Sequence, residues 1–146
     1  MALGAQQHEA VPLKLEVITP ERRVFEDEVD MVIAPGSDGM LGILPHHAPL
    51  LTGLGHGEMR VKKGGLEYTF AVFGGFMDVR ANRVTVLTDA AEHAEEIDER
   101  QAQEARERAQ RWLEGAASAA DEQRARAALQ RALVRLRVAG RRRPRS

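Results

Sequence analysis

The chain has 146 residues, 43% of them hydrophobic, and a formal net charge of −1. That suits one domain of ordinary size, or a small domain with an appendage, and it does not describe a chain that binds nucleic acid through its overall charge. There is no cysteine, which excludes disulfides and thiol catalysis, and no apolar run approaches the roughly 18 residues of a membrane span.

Residues 1–11 lack the basic start and apolar centre of a signal peptide and are expected as a short mobile lead-in. Residues 12–89 then read as one all-β domain. Leu13, Leu15 and Val17 alternate with Lys14 and Glu16, the period of a half-buried strand. Thr19-Pro20-Glu21-Arg22 is a turn, with proline setting its second position. Val29 to Ala34 is expected as the second strand. Gly36 to Leu51 holds three glycines and two prolines within an apolar run, which predicts a fixed crossover between strands, neither helix nor regular strand. Gly57 to Lys62 is a strand, and Lys63-Gly64-Gly65 is a tight hairpin turn into Leu66 to Phe73. Gly74-Gly75 marks a bend where backbones approach closely, before Phe76 to Arg80. Ala81-Asn82 turns the chain into Arg83 to Thr88. Eight or so short strands at this spacing indicate a sandwich or flattened barrel.

From Asp89 onward the composition changes to alanine, glutamate, glutamine and arginine, with no proline before Pro144. Asp98 is positioned to cap a helix, with Gln101 three residues on. Its apolar stripe is Ala102, Ala105, Ala109, Trp112, Leu113 and Ala116. Ser118 or Asp121 opens a second helix with the stripe Ala125, Leu129, Ala132, Leu133 and Leu136, ending near Gly140. The expectation is an antiparallel helical hairpin over residues 90–140 and a loose basic tail over 141–146. The stripes are mostly alanine, and at roughly 0.8 kcal/mol per buried methylene they gain little from packing. Trp112 and a few leucines would supply most of the apolar contact, so the hairpin is expected to dock weakly and to move.

Charge divides the chain in the same place. Residues 1–89 carry 8 Lys/Arg against 12 Asp/Glu, a net of −4, and residues 90–146 carry 13 Arg against 10 acids, a net of +3. From Gln123 to Ser146 there are nine arginines and no acid. Arg124, Arg131 and Arg135 share roughly one helical face, flanked by Arg126 and Arg137. Such a face can grip acidic side chains or a triphosphate through charge-assisted forks. Nucleic acid is the poorer fit, since no aromatic platform accompanies the arginines.

The other candidate chemistry is sparse. His46-His47 with His56 would be a metal site only if adjacent residues faced one ion, which alternation opposes. No phosphate-binding glycine loop or nucleophile elbow is present. Nothing in spacing selects Asp38 with Asp78, or Glu58 with Glu67, as a catalytic pair.

Three ordered segments resemble the epsilon subunit family of F-type ATP synthases, the delta family of mitochondria. Gly39, Gly42-Ile43-Leu44-Pro45 and His47-Ala48-Pro49-Leu50 are similar to its G-x-x-G-I-L-P-x-H-A-P-L signature. Gly74-Gly75-Phe76, Asp78-Val79, Asn82, Val84 to Leu87, Asp89 and Ala91-Glu92 are similar to a second motif, and Leu129 to Leu136 to a third. The resemblance covers about residues 12–139. It implies an α+β architecture, a ten-strand β-sandwich followed by two helices. It implies a non-catalytic subunit of a proton-translocating ATP synthase, set in the central rotor stalk between gamma and the c-ring. That place is peripheral, on the cytoplasmic face of the bacterial plasma membrane, with membrane contact only through the complex.

By position, Ser37, Asp38, Gly39, Met40 and Leu41 would face the c-ring, although Met40 stands where some relatives carry an acid. His46, His47, Ala48 and Pro49 would face gamma. The hairpin would inhibit ATP hydrolysis by extending toward the alpha and beta subunits, with Arg124, Arg126, Arg131, Arg135 and Arg137 meeting acidic groups of beta. Some relatives bind ATP on the folded hairpin, and the matching positions are Glu92, Ile97, Asp98, Ala102, Arg108, Arg131 and Arg135. Gln101 replaces an arginine of that motif, so ATP is expected only as a weak regulatory ligand. No other cofactor and no metal is implied.

Overall fold

The structure, a computed structural model, describes residues 11–142. Ten strands come first among these residues: β1 Leu13–Ile18, β2 Arg23–Val29, β3 Met31–Gly36, β4 Gly39–Ile43, β5 Leu50–Gly53, β6 His56–Lys63, β7 Leu66–Phe73, β8 Phe76–Arg80, β9 Arg83–Leu87 and β10 Ala91–His93. A single 3₁₀ turn, Ala94–Glu96, leads to helices α1 Glu99–Glu114 and α2 Ala119–Ala139.

The strands form two five-stranded sheets, ordered β2-β1-β9-β8-β5 and β10-β7-β6-β3-β4. Leu13, Leu15, Val17, Met77, Val84 and Val86 from the first sheet meet Val32, Ile43, Met59, Val61, Phe70 and Val72 from the second, all essentially without exposure. Alternation along each strand places these side chains inside the sandwich and the intervening ones outside. β1 pairs with β9 in parallel, which ties the start of the domain to its far end.

Both glycine pairs take their expected roles. A Cβ on Gly75, whose φ is +107°, would lie 1.9 Å from the Leu87 carbonyl oxygen, so β8 leaves β7 where only glycine fits. Gly64 and Gly65, with φ of +57° and +80°, turn β6 directly into β7.

Three strand expectations change. β2 was not anticipated, because Arg-Val-Phe-Glu-Asp-Glu-Val has no clean apolar alternation. It is an edge strand paired only with β1, and charge on an edge opposes unwanted pairing. β3 runs on through Pro35 to Gly36 and pairs with β4 across Ser37-Asp38, so the first part of the glycine-rich stretch is a hairpin. The crossover expectation holds for Leu44 to Pro49, which carries the chain from β4 in one sheet to β5 in the other. His46 turns there with φ of +67°, its amide donating to Asn82 Oδ1 at 2.6 Å. β10 lies beyond the change in composition at residue 89, pairing with β7 and burying Ala91.

Both helices begin as expected. Asp98 Oδ1 accepts from the Gln101 amide at 3.0 Å, and Ser118 Oγ from the Asp121 amide at 3.1 Å. Gly140 ends α2. The packing differs from expectation. Trp112 and Leu133 are 41% and 40% exposed, so neither anchors the hairpin. Instead α2 has two buried faces. Ala125 and Ala132 are buried along the stripe expected to meet α1, while Val134, Val138 and Ala139 join Ala71, Phe73, Ala94 and Ile97 in a second apolar cluster. That second face lies on the outside of β7. The lead-in expected over residues 1–11 and the tail over 141–146 fall mostly outside the described residues.

Candidate functional site

Alternation along β7 and β10 decides what the hairpin rests on. Register pairs Ala91 with Val72, facing inward, and Glu92 with Ala71, facing outward. The outer surface of β7 therefore offers Ala71 and Phe73, with Glu92 beside them on β10. α2 lies over this strip, and its residues at a spacing of four fall onto it.

Arg135 is the centre of the junction. Its Nε donates to Glu92 Oε1 at 2.7 Å, and its Nη2 donates to Glu92 Oε2 at 3.1 Å and to Gln101 Oε1 at 3.1 Å. One guanidinium thus joins a strand of the sandwich to both helices. The Arg135 and Glu92 side chains are 18% and 31% exposed, which places this pair deeper than a surface ion pair. One turn earlier, the Arg131 guanidinium sits 5.2 Å from the centre of the Phe73 ring, a cation–π contact.

The end of α2 is also held. Arg141 forks onto Glu58 at 3.2 Å through Nε and Nη2, and Glu58 raises the pKa of Arg141 above its ordinary value. Arg142 donates to the carbonyl oxygen of Ala94 at 3.1 Å and to that of Ile97. These two arginines are therefore engaged rather than loose. The arginines that lack acids within their own segment find some of them elsewhere: Glu92 and Glu58 in the sandwich, and Glu122 for Arg126 at 2.8 Å.

The residues expected to hold ATP fall into two groups. Glu92 and Arg135 are brought together and satisfy each other. Ile97 and Ala102 are buried, Asp98 caps α1, and Arg108 is exposed. Of the five arginines expected to meet beta, Arg124, Arg126 and Arg137 point to solvent, while Arg131 and Arg135 face the sandwich.

Two further surfaces lie on the sandwich. Ser37 to Met40 are exposed at the β3–β4 turn, Met40 by 54%, with Leu41 half-buried. His46, Ala48 and Pro49 are exposed in the crossover, and His47 is half-buried with Nδ1 2.7 Å from the Ala48 carbonyl oxygen. His56 stands edge-on to Phe73 at 5.8 Å. Among the described residues no three His, Asp or Glu side chains group as metal ligands.

Sequence reasoning did not single out the outer face of the first sheet. Leu87 registers with both Ile18 and Phe76, and Leu51 lies diagonal to Phe76. Leu51, Phe76 and Leu87 are 71%, 59% and 51% exposed. Their signal was available: apolar residues at both parities of β5, β8 and β9 predict a strand apolar on both faces.

This architecture has direct counterparts. The model of the ATP synthase delta/epsilon chain β-sandwich domain matches residues 12–94, and that of the delta/epsilon long α-helix domain matches residues 95–140. The chain belongs to the ATP synthase delta/epsilon family. It is 51% identical over 136 residues to the ATP synthase epsilon chain of Dehalococcoides mccartyi, covering 90% of this chain and 94% of that one. Identity to the epsilon chain of Herpetosiphon aurantiacus is 50% over 135 residues, covering 92% and 99%. The fold matches a chain in the Euglena gracilis mitochondrial ATP synthase with a TM-score of 0.76 at 23% identity, covering 88% of this chain and 81% of that one. As an epsilon-type chain it is a non-catalytic subunit of the ATP synthase.

Proposed function

We propose that this epsilon-type chain sits in the rotor stalk, links gamma to the c-ring, and restrains ATP hydrolysis through its helical hairpin. The reading couples proton flow to ATP synthesis without any catalytic group in this chain. It sets the protein on the cytoplasmic face of the bacterial plasma membrane, held there by the complex. Among the described residues no helix is long and apolar enough to cross a membrane.

The observation that carries the reading is the division of surfaces. One outer sheet face carries the hairpin, and the other carries Leu51, Phe76 and Leu87 without cover. An exposed apolar face on a small domain is what a permanent partner buries. That face, together with His46, His47, Ala48 and Pro49 at its edge, is the proposed gamma contact. The turn Ser37 to Leu41, exposed as far as Met40, is the proposed c-ring contact, made by shape and the Met40 side chain rather than by an acid. Opening the hairpin would release Arg131 and Arg135 to join Arg124, Arg126 and Arg137 against acidic groups of beta. ATP could reach Glu92 and Arg135 only by separating them, which supports weak nucleotide binding at most.

The test is binding of the purified chain to gamma. Leu51→Asp with Phe76→Asp, both exposed in the free chain, should lower affinity by at least tenfold while the sandwich stays folded. Unchanged binding would rule out this face.

A further inference from the structure

Arg135 holds three elements at once, and the chemistry of its third partner has a consequence. A guanidinium has five N–H donors and no acceptor. Two of the observed bonds go to the Glu92 carboxylate, and one to the neutral carbonyl oxygen of Gln101. The cation is therefore neutralised by one acid and tied to α1 by a group that adds no charge. No anion is needed to complete this arrangement, and all three side chains come from this chain.

We propose that Glu92, Gln101 and Arg135 form a ligand-independent latch that closes the hairpin on the sandwich. The latch rests on the reading that the hairpin moves, and it states what controls that motion. The apolar part of the junction is small: Val134, Val138 and Ala139 against Ala71, Phe73, Ala94 and Ile97. The part-buried, bidentate Glu92–Arg135 pair therefore adds a charge-assisted contribution to closure, alongside Arg141 on Glu58 and Arg142 on the Ala94 and Ile97 carbonyls. Arg131 over Phe73 and Arg141 on Glu58 lie at either side of the latch and keep α2 in register, but neither reaches α1. Arg135 ties α1, α2 and β10 together.

Gln101 also gives the latch its independence from nucleotide. Arginine at position 101 would set a second cation beside Arg135, and closure would then require an anion between them. Glutamine replaces that requirement with a direct hydrogen bond. The hairpin of this chain should accordingly respond to ionic strength and to acidic protein surfaces that compete for Arg135, and not to ATP.

Amide hydrogen exchange on the full-length chain tests this, reading α2 against the sandwich strands as an internal reference. In the wild type, α2 exchange should be unchanged by ATP and should quicken as salt rises. Glu92→Gln should speed α2 exchange on the order of tenfold and lessen its salt dependence, the Arg141–Glu58 pair keeping the remainder, with the sandwich unaffected. Gln101→Ala should speed it several-fold, and Gln101→Arg should speed it further and make it slow on addition of ATP. The exchanged pair, Glu92→Arg with Arg135→Glu, should recover protection, since the Gln101 amide can donate to a carboxylate as readily as it accepts from a guanidinium. The latch is overturned if Glu92→Gln leaves α2 exchange as it was, if the exchanged pair stays as open as Glu92→Gln, or if ATP alone strongly slows exchange in the wild type. Loss of inhibition in the assembled enzyme is a separate result, so the latch and the inhibitory role can fail independently.

Discussion

At the scale of single residues, Gly75 fixes where β8 can follow β7, because a Cβ there would meet the backbone of Leu87 and Thr88. Gly74-Gly75 announced a close crossing, and the space at Gly75 is filled by the Leu87 carbonyl. Gly75→Ala should cost about 3 kcal/mol, through both the clash and the positive φ, read as a lower midpoint of denaturant unfolding. Asp27 and Lys63 show the opposite case. They lie 36 residues apart, and nothing in spacing joins them, yet they form a hydrogen-bonded ion pair from edge strand β2 of one sheet to the end of β6 in the other. The Lys63 ammonium, and next the Glu28 amide, hold the Asp27 pKa below its ordinary 3.8, and Asp27 raises the Lys63 pKa above 10.5. A lowered carboxylate pKa stabilises the fold above the unfolded value, and that contribution is lost as pH falls through the folded one. A raised ammonium pKa stabilises below the unfolded value and is lost as pH rises through the folded one. Lys63→Met should therefore lower stability modestly at neutral pH. The difference from the wild type should vanish as the solution is acidified below the ordinary carboxylate range.

At the scale of elements, period-2 and helical patterns located most strands and both helices, and failed where an element serves two surfaces. β2 lacks alternation because it is a charged edge, and β10 is only three residues long. In the sequence the α2 stripe reads as one face, Ala125 to Leu136, because those residues follow a single periodic line. Val134 and Val138 form a second line, and only the position of the outer strip of β7 gives it a partner. The same geometry explains the arginines. Arg126 pairs with Glu122 one turn back on the helix, but the acids of Arg135 and Arg141 lie on β10 and β6, so a count from Gln123 onward finds none. Val138→Ala removes buried methyl groups worth about 1.5 kcal/mol and should speed α2 exchange roughly tenfold. Trp112→Ala should change it by less than about 0.5 kcal/mol, because the indole is an exposed surface group.

At the scale of the whole molecule, two apolar clusters divide the chain. The main cluster is built from the strands alone, and the second spans sandwich and hairpin. The sandwich should therefore fold without the helices, provided the cut follows Glu96 and keeps β10. A cut after Thr88 would remove the strand that covers Phe70 to Val72 and should destabilise the domain, as thermal unfolding of the two truncations would show. The three sequence motifs gave the family, and the structure places them apart: the first at the β4 turn and crossover, the second on β8 to β10, the third on α2. What no motif conveyed is that Glu92, from the second, closes on Arg135, from the third.

The most direct test of the account is ATP hydrolysis by the reconstituted enzyme carrying either the full chain or the chain cut after Glu96. The cut chain should still assemble with gamma through the face bearing Leu51, Phe76 and Leu87, and hydrolysis should rise several-fold above that of the intact complex. Equal hydrolysis rates in two fully assembled complexes would contradict the inhibitory role of the hairpin.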